Sequence, residues 1–382
     1  MSKLQLLFEA GPMVDIRKTG VGYYTHQLIA SLAAQPDSPL EMTGYYYDFL
    51  SHNHKVPPPL PNVQYKQIRL IPGKLLSVCR RLQFQPPLEA FVRHKADVTL
   101  FTNYVSLPSF TRNKSALVIY DLSFLDHPEY LQEVNLRYLQ HFCPPSIRAA
   151  DVIITISEFT RQRILHHFPD IKADIVITPI PPDMPPSPGP LGSRLTQLGI
   201  RPGGYILYLG TIEPRKNIQN LVKAYAALPA SVRDAYSLVI AGGRGWKDEA
   251  ILAEIKRQQE RGLSVVMPGY ITEEEKNALY ANSSCFVLPS HYEGFGMPIL
   301  EAMQYDIPVL VSDIPVFHEV AQDAAVYFNK DSPEDIASKI TALLTGLPLR
   351  DRLVHRARRQ LGTFSWSHNA KLVTDALIRV RQ

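Results

Sequence analysis

Short apolar runs rich in β-branched residues alternate with helical periods along this chain, stop at seven prolines between residues 179 and 190, and then begin again. No other feature narrows the fold as much, because strands separated by helices pair in parallel, with helices covering both faces. The pattern predicts strands at Leu4–Phe8, Met42–Tyr47, Val63–Ile68, Val98–Phe101, Ala116–Tyr120, Val152–Ile156 and Ile175–Ile177, with helices over 21–34, 79–94, 132–149 and 158–167. Proline fixes φ and lacks an amide donor. Pro179, Pro181, Pro182, Pro185, Pro186, Pro188 and Pro190 therefore fit neither a helix nor a central strand, and they predict a linker. Beyond it, strands are predicted at Tyr205–Leu209, Ser237–Ala241, Val265–Met267, Cys285–Leu288, Val309–Val311 and Ala325–Phe328. The accompanying helices fall over 217–228, 248–261, 273–282, 298–305, 333–345 and 348–361, and an amphipathic helix follows over Trp366–Val380.

The expected fold is α/β, with two doubly wound domains facing a central cleft. They span 1–178 and 204–365, joined by a Pro-rich linker, 179–203, and followed by a C-terminal helix, 366–382, that packs back on the first domain. A chain of 382 residues suits two domains. In open parallel sheets ligands sit beyond the carboxyl ends of the strands, so the loops there are searched first.

Composition removes several classes. Forty Lys+Arg against 36 Asp+Glu leaves a formal charge of +4, too mild to imply nucleic acid. Cys79, Cys143 and Cys285 are far apart, which excludes a disulfide framework or a CxxC zinc site and favours a reducing compartment. Glu9 interrupts the first apolar run, so it reads as a strand, not a signal peptide. No apolar run approaches the roughly 18 residues of a spanning helix, and a cytoplasmic location is expected. His166 and His167 are adjacent, and His52 and His54 lie in a polar stretch, so no catalytic metal is expected. Ser157 lacks the GxSxG elbow of a hydrolase.

Three segments carry candidate chemistry. Lys18-Thr19-Gly20-Val21-Gly22-Tyr23-Tyr24 follows the first strand and opens a helix, where glycines and unpaired N–H groups suit an anion; a plain turn explains two glycines equally well. Gly210-Thr211-Ile212-Glu213-Pro214-Arg215-Lys216-Asn217 follows a strand and places two adjacent cations at a strand-to-helix turn. Such a pair suits a diphosphate, Arg binding bidentately and Lys as a point charge; a solvated surface pair is the bland alternative. The third segment runs from Pro289 to Met303. Glu293 lies in its glycine loop, Pro298 suits a first helical turn, and Glu301 sits about one turn in. Two carboxylates so spaced can accept hydrogen bonds from two hydroxyl-bearing parts of one ligand, while the helix start between them faces its phosphate.

Glu293-x7-Glu301 resembles the signature of the retaining nucleotide-sugar glycosyltransferases of family 4, which have two Rossmann-like domains in the GT-B arrangement. The resemblance spans almost the whole chain. It includes Gly20-Val21-Gly22, Tyr120-Asp121-Leu122-Ser123-Phe124, Ser157-Glu158-Phe159-Thr160, Gly210 to Asn217 and Pro268-Gly269-Tyr270-Ile271. It implies that Glu301 binds the donor ribose. Glu293, with backbone N–H groups of Gly294, Phe295, Gly296 and Met297, would hold the donor sugar. Arg215 and Lys216 would neutralise the diphosphate, which Gly20, Gly22 and Gly210 approach, and Tyr270 would frame the base. Asp121 joins Glu293, Arg215 and Lys216 among the implied catalytic residues. The sequence departs from the family in having Tyr120 where many relatives have His, Thr211 where many have Arg, and Asp306 where Gly is frequent; Asp306 is expected in a left-handed turn, which Asp tolerates.

The resemblance therefore implies a retaining, metal-independent hexosyltransferase. It needs no cofactor, and moves a sugar from a nucleoside diphosphate to an acceptor hydroxyl. The turn around Arg215 is similar to that of bacterial mannosyltransferases of surface-polysaccharide assembly. That favours GDP-mannose as donor, with a UDP-hexose as alternative and a glycan or lipid-linked acceptor. A catalytically decayed nucleotide-sugar-binding protein is the competing class. Finally, Lys74 to Phe84 mixes bases with apolar residues, as either an ordinary helix or a segment docking on an anionic membrane surface would.

Overall fold

The computed structural model describes residues 3–14, 20–48, 56–69, 84–92, 95–111, 113–183 and 189–381. It divides into two compact units, Met1–Ile180 with Ser365–Gln382, and Pro181–Phe364.

The first unit is built on a parallel sheet of β1 (Leu4–Glu9), β2 (Leu40–Tyr47), β3 (Val63–Ile68), β4 (Val98–Phe101), β5 (Lys114–Ile119), β6 (Val152–Thr155) and β7 (Asp174–Ile177), in the order β3-β2-β1-β4-β5-β6-β7. The central strands β4 and β6 are buried at every residue, as expected where helices cover both faces, whereas the edge strand β3 alternates. The helix expected over 79–94 is corrected: residues 79–83 and 93–94 lie outside the described residues, and within 84–92 only the turn Leu88–Ala90 is helical. Pro86 and Pro87 remove two successive amide donors just before it. The helix Trp366–Arg381 belongs to this unit, burying Ala370, Val373, Ala376 and Leu377. Asn369 donates to the Pro179 carbonyl at 2.6 Å and Thr374 bonds Gln35 at 3.0 Å.

The second unit holds the parallel strands β8 (Tyr205–Leu209), β9 (Ser237–Ala241), β10 (Val265–Gly269), β11 (Cys285–Leu288), β12 (Val309–Ser312) and β13 (Ala325–Phe328), in the order β10-β9-β8-β11-β12-β13. Strand order reverses between β8 and β11, so the loops after these two strands flank the crevice of a doubly wound sheet. Within the segment expected as linker, Ser193–Gln197 forms a short helix, and Arg194 pairs with Glu275. Asp306 has φ +58, the left-handed turn expected of it, and its carboxylate pairs with Arg358 at 2.6 Å.

Candidate functional site

Strand β8 ends in Gly210, and the chain turns through the one-turn helix Pro214–Lys216 before the helix Ile218–Ala227 begins. Asn217 takes the left-handed conformation at φ +54 and donates to the Lys330 carbonyl at 2.8 Å, fixing where that helix starts. The neighbouring loop after β9 braces the turn: Gly210 N–H donates to Ala241 and Ile212 N–H to Gly243, both at 3.0 Å. A side chain at Gly242 would put its Cβ 2.0 Å from the Gly210 carbonyl oxygen, so only glycine permits this approach. Sequence reading did not single out Gly242 and Gly243; a glycine pair at the end of a predicted strand was the available signal.

The loop after β11 supplies Glu293, 7% exposed. Its Oε2 pairs with Arg215 Nη1 at 2.7 Å and its Oε1 with Lys216 Nζ at 2.5 Å. Ser290 Oγ donates to the same Oε1 at 2.8 Å. Arg215 also pairs with Glu213, only 2% exposed, at 2.9 Å, and donates to the Tyr292 carbonyl at 3.0 Å. The two loops are further tied by His291 N–H donating to the Arg215 carbonyl at 2.8 Å. Two half-buried cations and two buried carboxylates thus form one charge-balanced cluster at the switch point. Burial pushes the Glu293 carboxyl up, but Arg215 and Lys216 outweigh it and hold it at about 2. Glu293 is therefore a carboxylate at neutral pH, unable to donate a proton. Lys216 has Glu293 as its ion-pair partner, leaving ammonium N–H groups for an anion beside the start of a helix.

Gly294, Phe295, Gly296 and Met297 link Glu293 to the helix Met297–Gln304. Phe295 turns its ring into the core against Phe364, centroids 6.0 Å apart, so its contribution to a ligand is confined to the backbone. Gly296 caps the helix at φ +108, and a Cβ there would lie 2.8 Å from Phe317. Gly296→Ala should destabilise this unit by about 1–3 kcal/mol, read as a fall of several degrees in its thermal midpoint. An unchanged midpoint would show that the turn relaxes without cost.

Glu301, one turn into the helix, accepts from Tyr280 Oη at 2.8 Å and from Lys276 Nζ at 3.4 Å. Tyr270 exposes 67% of its surface, and its carbonyl and that of Pro268 accept from Arg194, at 3.4 and 2.9 Å. Arg194 thereby clamps the turn after β10 to Glu275, which completes the capping box with Thr272 at the start of the helix Glu273–Ala281. Sequence reading missed Arg194, Lys276 and Tyr280, since nothing in their local spacing marks them; Glu213 and Ser290 lie within the segments it singled out but were given no role there.

Gly20, Gly22 and Asp121 lie in the first unit. Gly20 opens the helix Gly20–Ala33, and a Cβ there meets open space, so the fold itself does not require glycine. Asp121 follows β5; its Oδ1 accepts from Ser123 N–H at 3.0 Å and Oγ at 2.8 Å, turning the chain into Ser123–Asp126. The Tyr120 hydroxyl is buried and donates to the Thr102 carbonyl at 2.9 Å, so it serves the core. Lys74 to Arg81 lie outside the described residues, and of that segment's end only Phe84 is described, exposed. Among the described residues no group of three or more His, Cys, Asp or Glu side chains converges, and no helix is long and apolar enough to cross a membrane.

A doubly wound unit whose switch point carries paired cations, a helix start and flanking carboxylates offers the groups that a phosphate-bearing, hydroxyl-rich ligand would need. Residues 198–360, within the second unit, match the family described as "Glycosyl transferases group 1" and form a glycosyltransferase group 1 domain. The chain is similar to O-antigen chain mannosyltransferase B of Escherichia coli, 29% identical over 96% of this chain and 97% of that one. It is 37% identical to O-antigen chain mannosyltransferase RfbU of Salmonella typhimurium over 36% of this chain and 37% of that one. The serotype-specific mannosyltransferase WbdA of E. coli matches at 30% over 70% of this chain, which spans a third of that longer protein. Among solved structures, sucrose-phosphate synthase from Thermosynechococcus elongatus superposes with a TM-score of 0.71 at 16% identity, over 99% of this chain and 98% of that one. WaaG, a glycosyltransferase involved in lipopolysaccharide biosynthesis, gives 0.69 at 16% identity, over 97% and 98%. At such identities these two likenesses establish the GT-B fold alone.

Proposed function

We propose that this glycosyltransferase moves mannose from GDP-mannose to a hydroxyl of a glycan or lipid-linked acceptor during assembly of a surface polysaccharide, at the cytoplasmic face of a membrane. The end-to-end similarity to O-antigen chain mannosyltransferase B carries this reading. In it the first unit binds the acceptor and the second the nucleotide sugar. Lys216, the amides of Gly294–Met297 and the adjacent helix start take the diphosphate, while Arg215 holds Glu213 and Glu293 in place. Glu293 orients the sugar through its hydroxyls. An ionised carboxylate with both oxygens engaged is a poor nucleophile, which favours attack from the departing side, with a donor phosphate oxygen taking the acceptor proton and retention of configuration. Charge developing on the leaving diphosphate falls on fixed donors.

A UDP-hexose donor is the second reading, favoured by the fold likeness to Anabaena HepE, a structure solved with UDP and glucose. Calorimetry against GDP-mannose, UDP-glucose and UDP-galactose, followed by transfer assays with the donor that binds, chooses between them; binding of a uridine donor alone overturns the mannose reading. Glu301→Ala should weaken binding of the nucleoside diphosphate about tenfold or more, since a hydrogen bond to a charged group contributes roughly 1.5–3 kcal/mol. Unchanged affinity would remove Glu301 from the ribose. Turnover should survive EDTA, because side-chain cations bear the diphosphate charge; loss on chelation with recovery on adding magnesium or manganese would overturn that role of Lys216.

A further inference from the structure

The Glu301 carboxylate is held from two sides by residues of the helix Glu273–Ala281. Tyr280 Oη donates to Oε2 at 2.8 Å and Lys276 Nζ to Oε1 at 3.4 Å. Each oxygen thus has a different donor, which fixes the plane of the group and leaves a second lone pair on each oxygen. Both donors are themselves held. Tyr280 is fully buried, its ring parallel to that of Tyr305 with centroids 5.9 Å apart and packed on Phe286 at 5.6 Å. Lys276 also pairs with Glu273 at 2.8 Å, and its helix is anchored by the Thr272–Glu275 capping box and by Arg194 on Glu275.

We propose that Tyr280 and Lys276 are positioning residues that lock Glu301 as a bidentate acceptor for a cis-diol, so that the site selects ribonucleotides over 2′-deoxyribonucleotides. The inference rests on the reading of Glu301 as the ribose ligand. A carboxylate free to rotate satisfies a single hydroxyl nearly as well as two. One with its plane fixed presents two acceptors at the separation of vicinal hydroxyls, and a ligand lacking one hydroxyl leaves an oxygen less well satisfied. Burial and the Glu301 charge push the Tyr280 phenol well above its ordinary range, so it remains a donor at any working pH. Burial pulls Lys276 down, but Glu301 and Glu273 more than restore it, so it stays an ammonium.

The test is the affinity ratio of a ribonucleoside diphosphate to its 2′-deoxy counterpart, measured by calorimetry with GDP and dGDP and with UDP and dUDP on the full chain. The wild type should prefer the ribo form about tenfold or more. Tyr280→Phe and Lys276→Met should each collapse that preference to within about threefold, at a thermal midpoint close to wild type, and Lys276→Arg should restore much of it. A merely structural role would lower both affinities and leave their ratio alone. If both variants fold and keep the full ratio while Glu301→Ala abolishes it, the positioning role is wrong and the ribose reading stands. If the wild type does not discriminate and Glu301→Ala changes nothing, the ribose reading itself falls. Should Tyr280→Phe fail to fold, the Lys276 pair of variants decides alone.

Discussion

Lys216→Ala should lower turnover at saturating donor by about 10²–10³-fold, the usual effect of removing one donor that meets charge developing in a transition state. The ammonium has Glu293 as its ion-pair partner at 2.5 Å, at the turn after β8 and beside the start of the helix Ile218–Ala227. Affinity for the free nucleoside diphosphate should fall much less than turnover, because the helix start and the loop amides remain. The two quantities separate in single-turnover kinetics and calorimetry. A variant whose turnover stays within about threefold of wild type would take Lys216 out of the chemistry. Arg215→Ala should be worse for stability than for binding, since it strands two nearly buried carboxylates, Glu213 and Glu293, next to each other.

Glu293→Gln should destabilise the second unit by roughly 3 kcal/mol at neutral pH and abolish transfer by a similar or larger factor than Lys216→Ala. The stability effect must depend on pH in one direction. The Glu293 carboxyl lies at about 2 in the folded chain against an ordinary 4.5. A lowered carboxyl contributes its full stabilisation above the unfolded value and loses it as the pH falls toward the folded one. The difference between wild type and Glu293→Gln should therefore be constant above about pH 4.5 and shrink steadily toward pH 2. Hydrogen exchange of the β8 and β11 amides reads the second unit without interference from the first. A difference that stays the same from pH 7 to pH 3 would mean that the ion pairs contribute nothing and that Gln loses only packing.

Local features of the site were legible in the sequence because they are local in cause. Gly210 to Asn217 reads as a strand-to-helix turn from its own glycine, proline and asparagine. Pro298 at the first turn fixes where the helix bearing Glu301 begins, and Asp306 announces a left-handed turn. Elements failed to read correctly where chemistry cut across periodicity. The apolar spacing around 79–94 suggested a helix, yet within 84–92 only Leu88–Ala90 is helical, after Pro86 and Pro87; the helix expected over 132–149 forms as Glu133–Ala149 even though Pro144 and Pro145 sit inside it. Phe295, expected to offer its backbone N–H to a ligand, turns its ring into the core.

Alternation of strand and helix, set by side-chain periodicity within about ten residues, determined the α/β class, the parallel pairing and the break near the prolines. Tertiary structure alone decided which side chains meet. Glu293 reaches Lys216 across 77 residues because β11 lies beside β8, an order that no residue near either strand encodes. Arg194 meets Glu275 across 81 residues, and Tyr280 meets Glu301 across 21. Short-range spacing specifies what each segment becomes. Partners across the sheet depend on crossover connections and on packing both faces at once, and these exist only when the whole unit has folded.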